Sequence, residues 1–306
     1  MSFEESDEEL NVVQRSVRSA IYEPDRVYRI LFAVMIAFFL FIALFPLYWL
    51  GVLALTPIEL IVDMGLTPRG FNLSAFADIF EQAPFHFYIL NSLLLASMTT
   101  VIVLLIGSIA GYVFGRLEFP GRRVLLLGIL VISYFPPAAF LLPLFNLFTG
   151  NVSVLGIQSP SLFGTPGAIV LPLSALLMPL IIYTLSTFYS QIPDGLEDAS
   201  RIEGSTRIGA LFRVIVPLSA PGFATAAVLT FIVVYNEFFF SFLMTDGTID
   251  SWAPIVHGLF QYQGLRQQFF NFMAAASLIG IIPMALLVLF AQEKIVSGLT
   301  AGALKE

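Results

Sequence analysis

The chain contains no cysteine. Disulfide bridges and thiolate-held metals are therefore excluded. Lysine is nearly missing too: of 14 basic residues only Lys294 and Lys305 are lysines. Neither follows a glycine-rich turn, so this chain builds no phosphate-binding P-loop of its own. Charge of any kind is scarce. Asp, Glu, Lys and Arg make up 11% of the 306 residues, against about 25% in an ordinary soluble domain. That is too little to cover a surface facing water, which sets aside a soluble globular enzyme. The formal net charge is −7 and the arginines form no broad basic patch, so nucleic acid is excluded as a partner. The two histidines, His86 and His257, are too isolated to make a metal site. Neither G-x-S-x-G nor H-E-x-x-H occurs, which leaves a membrane-embedded hydrolase without its nucleophile or its metal.

What the chain does contain is apolar sequence. Hydrophobic residues make up 58% of it, and Phe alone occurs 31 times. They gather in six blocks, approximately Ile30–Leu53, Tyr88–Phe114, Val124–Phe148, Gly167–Phe188, Pro221–Met244 and Phe272–Ala291. Each is long enough to cross a hydrocarbon core of about 30 Å as a helix. Unbroken rather than alternating runs choose helices over a barrel. The fold expected is an all-α integral membrane bundle of six transmembrane helices. Residues 1–29 form an acidic tail with an amphipathic segment, 30–293 the membrane domain, and 294–306 a short C-terminal tail. The start, Met1 to Glu9, is acidic, unlike a secretory signal, so the first block is expected to remain as an anchor.

Arginine orients the bundle. Arg15, Arg18, Arg26 and Arg29 precede the first block, Arg116, Arg122 and Arg123 follow the second, and Arg201, Arg207 and Arg213 follow the fourth. With the two lysines after the sixth block, twelve basic residues fall on one side and only Arg69 and Arg266 on the other. Basic loops favour the cytoplasm, so both termini are expected there. Within the blocks, Gly107, Gly111 and Gly115 make two overlapping GxxxG steps, a flat stripe for close packing of another helix of the same bundle.

One cytoplasmic loop stands out. Pro193 and Asp194 suit a helix start, Glu197 lies in its first turn, and Gly204 suits its end. A second short stretch runs from Thr206 to Pro217, and its Leu211, Phe212, Val214 and Ile215 are expected to need a protein groove. The loop resembles the EAA loop of ABC importer permeases, E-A-A-x-x-x-G followed by I-x-L-P. The matching residues are Asp198-Ala199-Ser200, Gly204 and Val214-Ile215-Val216-Pro217. Asp replaces Glu, Ser the second Ala, and Val both Ile and Leu. Other segments are similar to carbohydrate-type permeases of the maltose kind. They are Asn91-Ser92-Leu93-Leu94, Gly111-Tyr112, Arg116 to Gly121, Tyr235-Asn236-Glu237-Phe238-Phe239, Met273 to Ala276, Pro283 and Gly298 to Lys305.

The resemblance implies a transport subunit with no catalytic residue and no cofactor of its own. Two permeases, usually a heterodimer, would form the pathway through the cell membrane. Two ATPase subunits, holding ATP and Mg, would dock on the loop, and an external solute-binding protein would deliver a sugar. Glu197, Asp198, Ala199, Ser200, Gly204, Leu211, Phe212 and Pro217 would then meet the ATPase. Glu237 is an ionisable residue inside a block and needs a cavity or a partner. With Tyr235, Asn236 and Asn91 it would line the pathway or touch the partner permease. Trp252, Gln261 and Tyr262 of the outer loop would meet the binding protein. The competing function is an ATP-independent carrier or channel. It would need ion-coupling residues in several helices, and Glu237 stands nearly alone.

Overall fold

The structure, a computed structural model, describes residues 24–263 and 269–301. The acidic tail, Arg266 and the last residues of the C-terminal motif lie outside them. Among the described residues the chain is helical apart from short loops and one hairpin. In order the helices are α1 Pro24–Leu55, α2 Ala75–Gln82, α3 Phe85–Arg116, α4 Arg122–Ser133, α5 Ala138–Phe148 and α6 Pro166–Tyr189. They continue with α7 Asp194–Ile202, α8 Arg207–Leu218, α9 Ala220–Tyr235, α10 Ser241–Met244, α11 Ile255–Phe260 and α12 Phe270–Ala301. Between α5 and α6 the pairs Ser153–Val154 and Ile157–Gln158 form an antiparallel hairpin.

Among the described residues four helices, α1, α3, α6 and α12, are long and apolar enough to cross a membrane alone, and the count rises to six if each of two bent pairs is one span. The expected third block is broken rather than kinked: α4 and α5 meet at 85°. Pro136 and Pro137 supply no N–H and push the preceding residue away from helical geometry. The fifth block is also shorter than expected. It stops at Tyr235, not Met244, and the chain turns through 236–240 before α10. Its entry is bent too, α8 meeting α9 at 86° around Ser219.

The core is laid along α3 and α6, which pack most closely of all the helices. A β-carbon placed on Gly107 would lie 3.0 Å from Ile181 Cγ2, and one on Gly115 only 2.7 Å from the Ser186 carbonyl. The glycine stripe therefore brings two backbones together within one bundle, as expected. Tyr235 of α9 donates to the Gly280 carbonyl of α12 at 2.8 Å, fixing that pair. By contrast the side chains of α1 from Tyr28 to Tyr48 are all exposed, and only its last turns, with Val52 and Ala54, are buried.

Candidate functional site

The bundle has two chemically distinct ends. At one end Arg116 closes α3, Arg122 opens α4, and α7 and α8 carry Arg201, Arg207 and Arg213. At the other end polar side chains of α3 hold the loop 246–263. Asn91 donates to the carbonyls of Ile249 (3.0 Å) and Ala253 (3.2 Å), and Tyr88 to that of Gly247 (3.0 Å). The Ser92 hydroxyl accepts from the Ile255 N–H at 2.8 Å.

The basic end contains the loop singled out from sequence. Pro193 precedes α7, and Asp194 and Glu197 occupy its first turn, where negative charge suits the helix dipole. At its other end the Ser205 N–H bonds the Ser200 carbonyl and the Gly204 N–H bonds that of Arg201, both at 3.0 Å. This six-to-one and five-to-two pair is a Schellman turn, and it places Gly204 at φ +96°. Thr206 then caps α8, its hydroxyl oxygen accepting from the Gly209 N–H at 3.0 Å. Inside α8 the turn Leu211–Ile215 is π-helical.

The expected loop residues do not share one face. Asp198, Ala199, Gly204, Phe212 and Pro217 are exposed, and Ser200 is half-buried. Glu197 and Leu211 are buried in the chain itself. Leu211 and Ile215 belong to a buried apolar cluster that also takes in Tyr112 of α3 and Leu185 of α6. Glu197 accepts from the Tyr112 hydroxyl and from Arg116 Nε at 3.0 Å. Arg116 also reaches Asp194 at 2.9 Å and the Ile192 carbonyl at 2.5 Å. Sequence reasoning missed this knot. The spacing that could have disclosed it is Tyr112 and Arg116 one turn apart, facing Asp194 and Glu197 one turn apart.

The residues expected on a pathway divide in the same way. Tyr235 and Asn91 are buried and bonded within the chain, as given above. Glu237 is 6% exposed, and its carboxylate accepts the N–H groups of Phe240 and Ser241. It caps the turn that ends α9, and its carboxylate is bonded to local backbone. Asn236 alone is exposed, its amide bonded to the Ile232 carbonyl at 3.0 Å. It borders a cleft of about 510 Å³ between α9, α11 and α12, whose walls include Val256, Leu259, Ile281 and Met284.

On the outer loop, Gln261 is exposed and Trp252 half-buried in a left-handed conformation, φ +62°. Tyr262 is instead 1% exposed and donates to the Ile79 carbonyl at 2.7 Å, tying the loop to α2 rather than facing outward. His257 sits beside Phe238, ring centres 5.4 Å apart, and burial pushes its imidazole below the ordinary value. The Asp246 carboxyl is held below its usual range by the hydroxyls of Ser251 and Thr248 and by the Thr248 N–H. Among the described residues no three His, Asp or Glu side chains gather where a metal could bind.

An apolar helical bundle with a capped, arginine-rimmed helical loop at one end defines a membrane transport subunit more narrowly than its composition does. The chain belongs to the family described as binding-protein-dependent transport system inner membrane component, which matches residues 103–295 and thus both the glycine stripe and the loop. It is a membrane permease, as the sequence motifs implied. It is 35% identical over 263 residues to the trehalose transport system permease protein SugB of Mycobacterium tuberculosis, covering 86% of this chain and 93% of that protein. It is likewise 35% identical to the sulfoquinovosyl glycerol transport system permease protein SmoH of Agrobacterium fabrum, covering 86% and 89%. The fold is shared with a chain from a bacterial ABC transporter involved in the import of the acidic polysaccharide alginate. The TM-score is 0.72 at 19% identity, covering 89% of this chain and 97% of that one.

Proposed function

We propose that this permease is one half of the translocation pathway of an ATP-driven importer for a sugar or glycoside. Its partner is a second, different permease, and two ATPase subunits that hold ATP and Mg dock on α7. An external binding protein delivers the solute to the opposite end. Both termini and the basic end lie in the cytoplasm.

The observation that carries this reading is α7 itself. It is a short helix closed by a Schellman turn, with Asp198, Ala199 and Gly204 exposed at the basic end of the bundle. Such an element has no use in a carrier that works alone, and it suits an ATPase cleft. The relatives that handle trehalose and sulfoquinovosyl glycerol support a glycoside cargo. The exposed Asn236 amide beside an apolar cleft suits a solute with hydroxyls and apolar ring faces.

The test is purification of the chain from its native membrane in mild detergent, with partners identified by mass spectrometry. A P-loop ATPase, a second permease and a binding protein are expected. Alternating access would then be a two-state movement biased by ATP. The reconstituted complex should take up labelled trehalose or another glycoside only with ATP. A chain that transports without an ATPase would return the ATP-independent carrier.

A further inference from the structure

Helix α7 is nine residues long and is joined to its neighbours by two short links. What couples it to the bundle decides whether a push on it is transmitted or absorbed. The grip comes from one turn of α3. The Arg116 side chain is only 5% exposed, and its planar guanidinium addresses three acceptors on or just before α7. These are Glu197 Oε2 at 3.0 Å, Asp194 Oδ1 at 2.9 Å and the Ile192 carbonyl at 2.5 Å. A fork of this shape resists rotation in a way a single charge cannot. Tyr112, one turn earlier, donates its hydroxyl to the other oxygen of Glu197.

The same turn is wedged from behind. Gly115 lies so close to α6 that its missing β-carbon would stand 2.7 Å from the Ser186 carbonyl. The end of α3 is thus clamped between α6, through glycine, and α7, through arginine. We propose that Arg116 is the positioning residue that makes α7, α3 and α6 move as one lever. A displacement of α7 then reaches the spanning helices instead of being lost in the links at Ser190–Pro193 and Glu203–Thr206. This rests on the reading of α7 as the ATPase contact.

This chain has no cysteine, so the two introduced residues are its only thiols. Ile109→Cys on α3 and Glu203→Cys at the end of α7, both exposed, are spin-labelled in the full complex in lipid nanodiscs. With Arg116 present, the distance between labels is expected to be narrow and the same with and without ATP and vanadate. With Arg116→Met it is expected to broaden and to shift with nucleotide. Labelled trehalose taken up per ATP hydrolysed is expected to fall about tenfold, within the usual span of coupling between sites. Arg116→Lys, which reaches fewer acceptors, is expected to fall between. An Arg116→Met complex that keeps one narrow distance in both states overturns the proposal. If that variant does not assemble, Tyr112→Phe and Arg116→Lys carry the same comparison. Failure of the underlying reading shows separately, as an Ala199→Cys chain with Arg116 intact that does not cross-link to the ATPase.

Discussion

Gly111 of α3 lies against Leu185 of α6 so closely that a β-carbon on the glycine would stand 2.9 Å from Leu185 Cβ. The contact is made by helix backbones and cannot be relieved by a side chain swinging away. Gly111→Leu is expected to cost at least the 1–3 kcal/mol, roughly, of an overpacked core. It should appear as a lower melting temperature of the detergent-solubilised chain. Gly128→Ala, with nothing within 4 Å of the added carbon, is the matched control and should melt unchanged or slightly higher.

Gly204 is required for conformation rather than space. Nothing lies within 4 Å of its would-be β-carbon, but its φ of +96° is one that side chains rarely adopt. Gly204→Ala is expected to destabilise the end of α7 by about 1 kcal/mol or more. Hydrogen exchange at Gly204 and Ser205 should accelerate while exchange in α3 stays the same. Gly195→Ala, inside α7 and equally open, should slow exchange there.

Glu237 is expected to matter as a cap. Glu237→Ala leaves the Phe240 and Ser241 N–H groups buried without their acceptor, at about 1–3 kcal/mol. Glu237→Gln retains one carbonyl oxygen for the turn and should lose much less. If Gln were as damaging as Ala in a thermal melt, the charge itself, not the cap, would be what the site needs.

The loop 246–263 should loosen in two steps on acidification. His257 is depressed by burial, so the folded loop prefers the neutral ring. Its contribution is complete above the ordinary imidazole value of about 6.5, shrinks as pH falls below it, and is gone below the lowered folded value. Asp246, also depressed, contributes fully above the ordinary carboxylate range, and that contribution is lost as pH falls through its lowered value. Hydrogen exchange corrected for intrinsic rates should show both steps. His257→Gln should remove the upper one and Asp246→Asn the lower one.

Much of this molecule was legible without coordinates. The apolar runs located the four helices long enough to span alone and the two bent pairs. Pro193, Asp194 and Gly204 marked α7 within two residues at each end, because turns are satisfied by neighbours along the chain. The glycine stripe announced a close helix contact because only glycine lets backbones approach so near. The bends were less legible. Pro136 and Pro137 signalled a break, but whether it would be a kink or an 85° turn depended on what packed beneath it.

The direction in which individual side chains face was decided by tertiary structure alone. A helix that is apolar all round offers no polar face by which to tell interior from lipid, so Tyr235 and Asn91 gave no sign of the carbonyls they would find. Glu197 and Leu211 read as residues that meet an ATPase, yet Tyr112 and Arg116, far away in sequence, draw the first inward, and the second lies in a buried cluster of this chain. Local chemistry along the chain determined the elements and their ends. Which polar groups would be satisfied within this chain, and which left for a partner, was settled only when distant helices came together, since a buried donor or acceptor takes whatever partner the packing brings within reach.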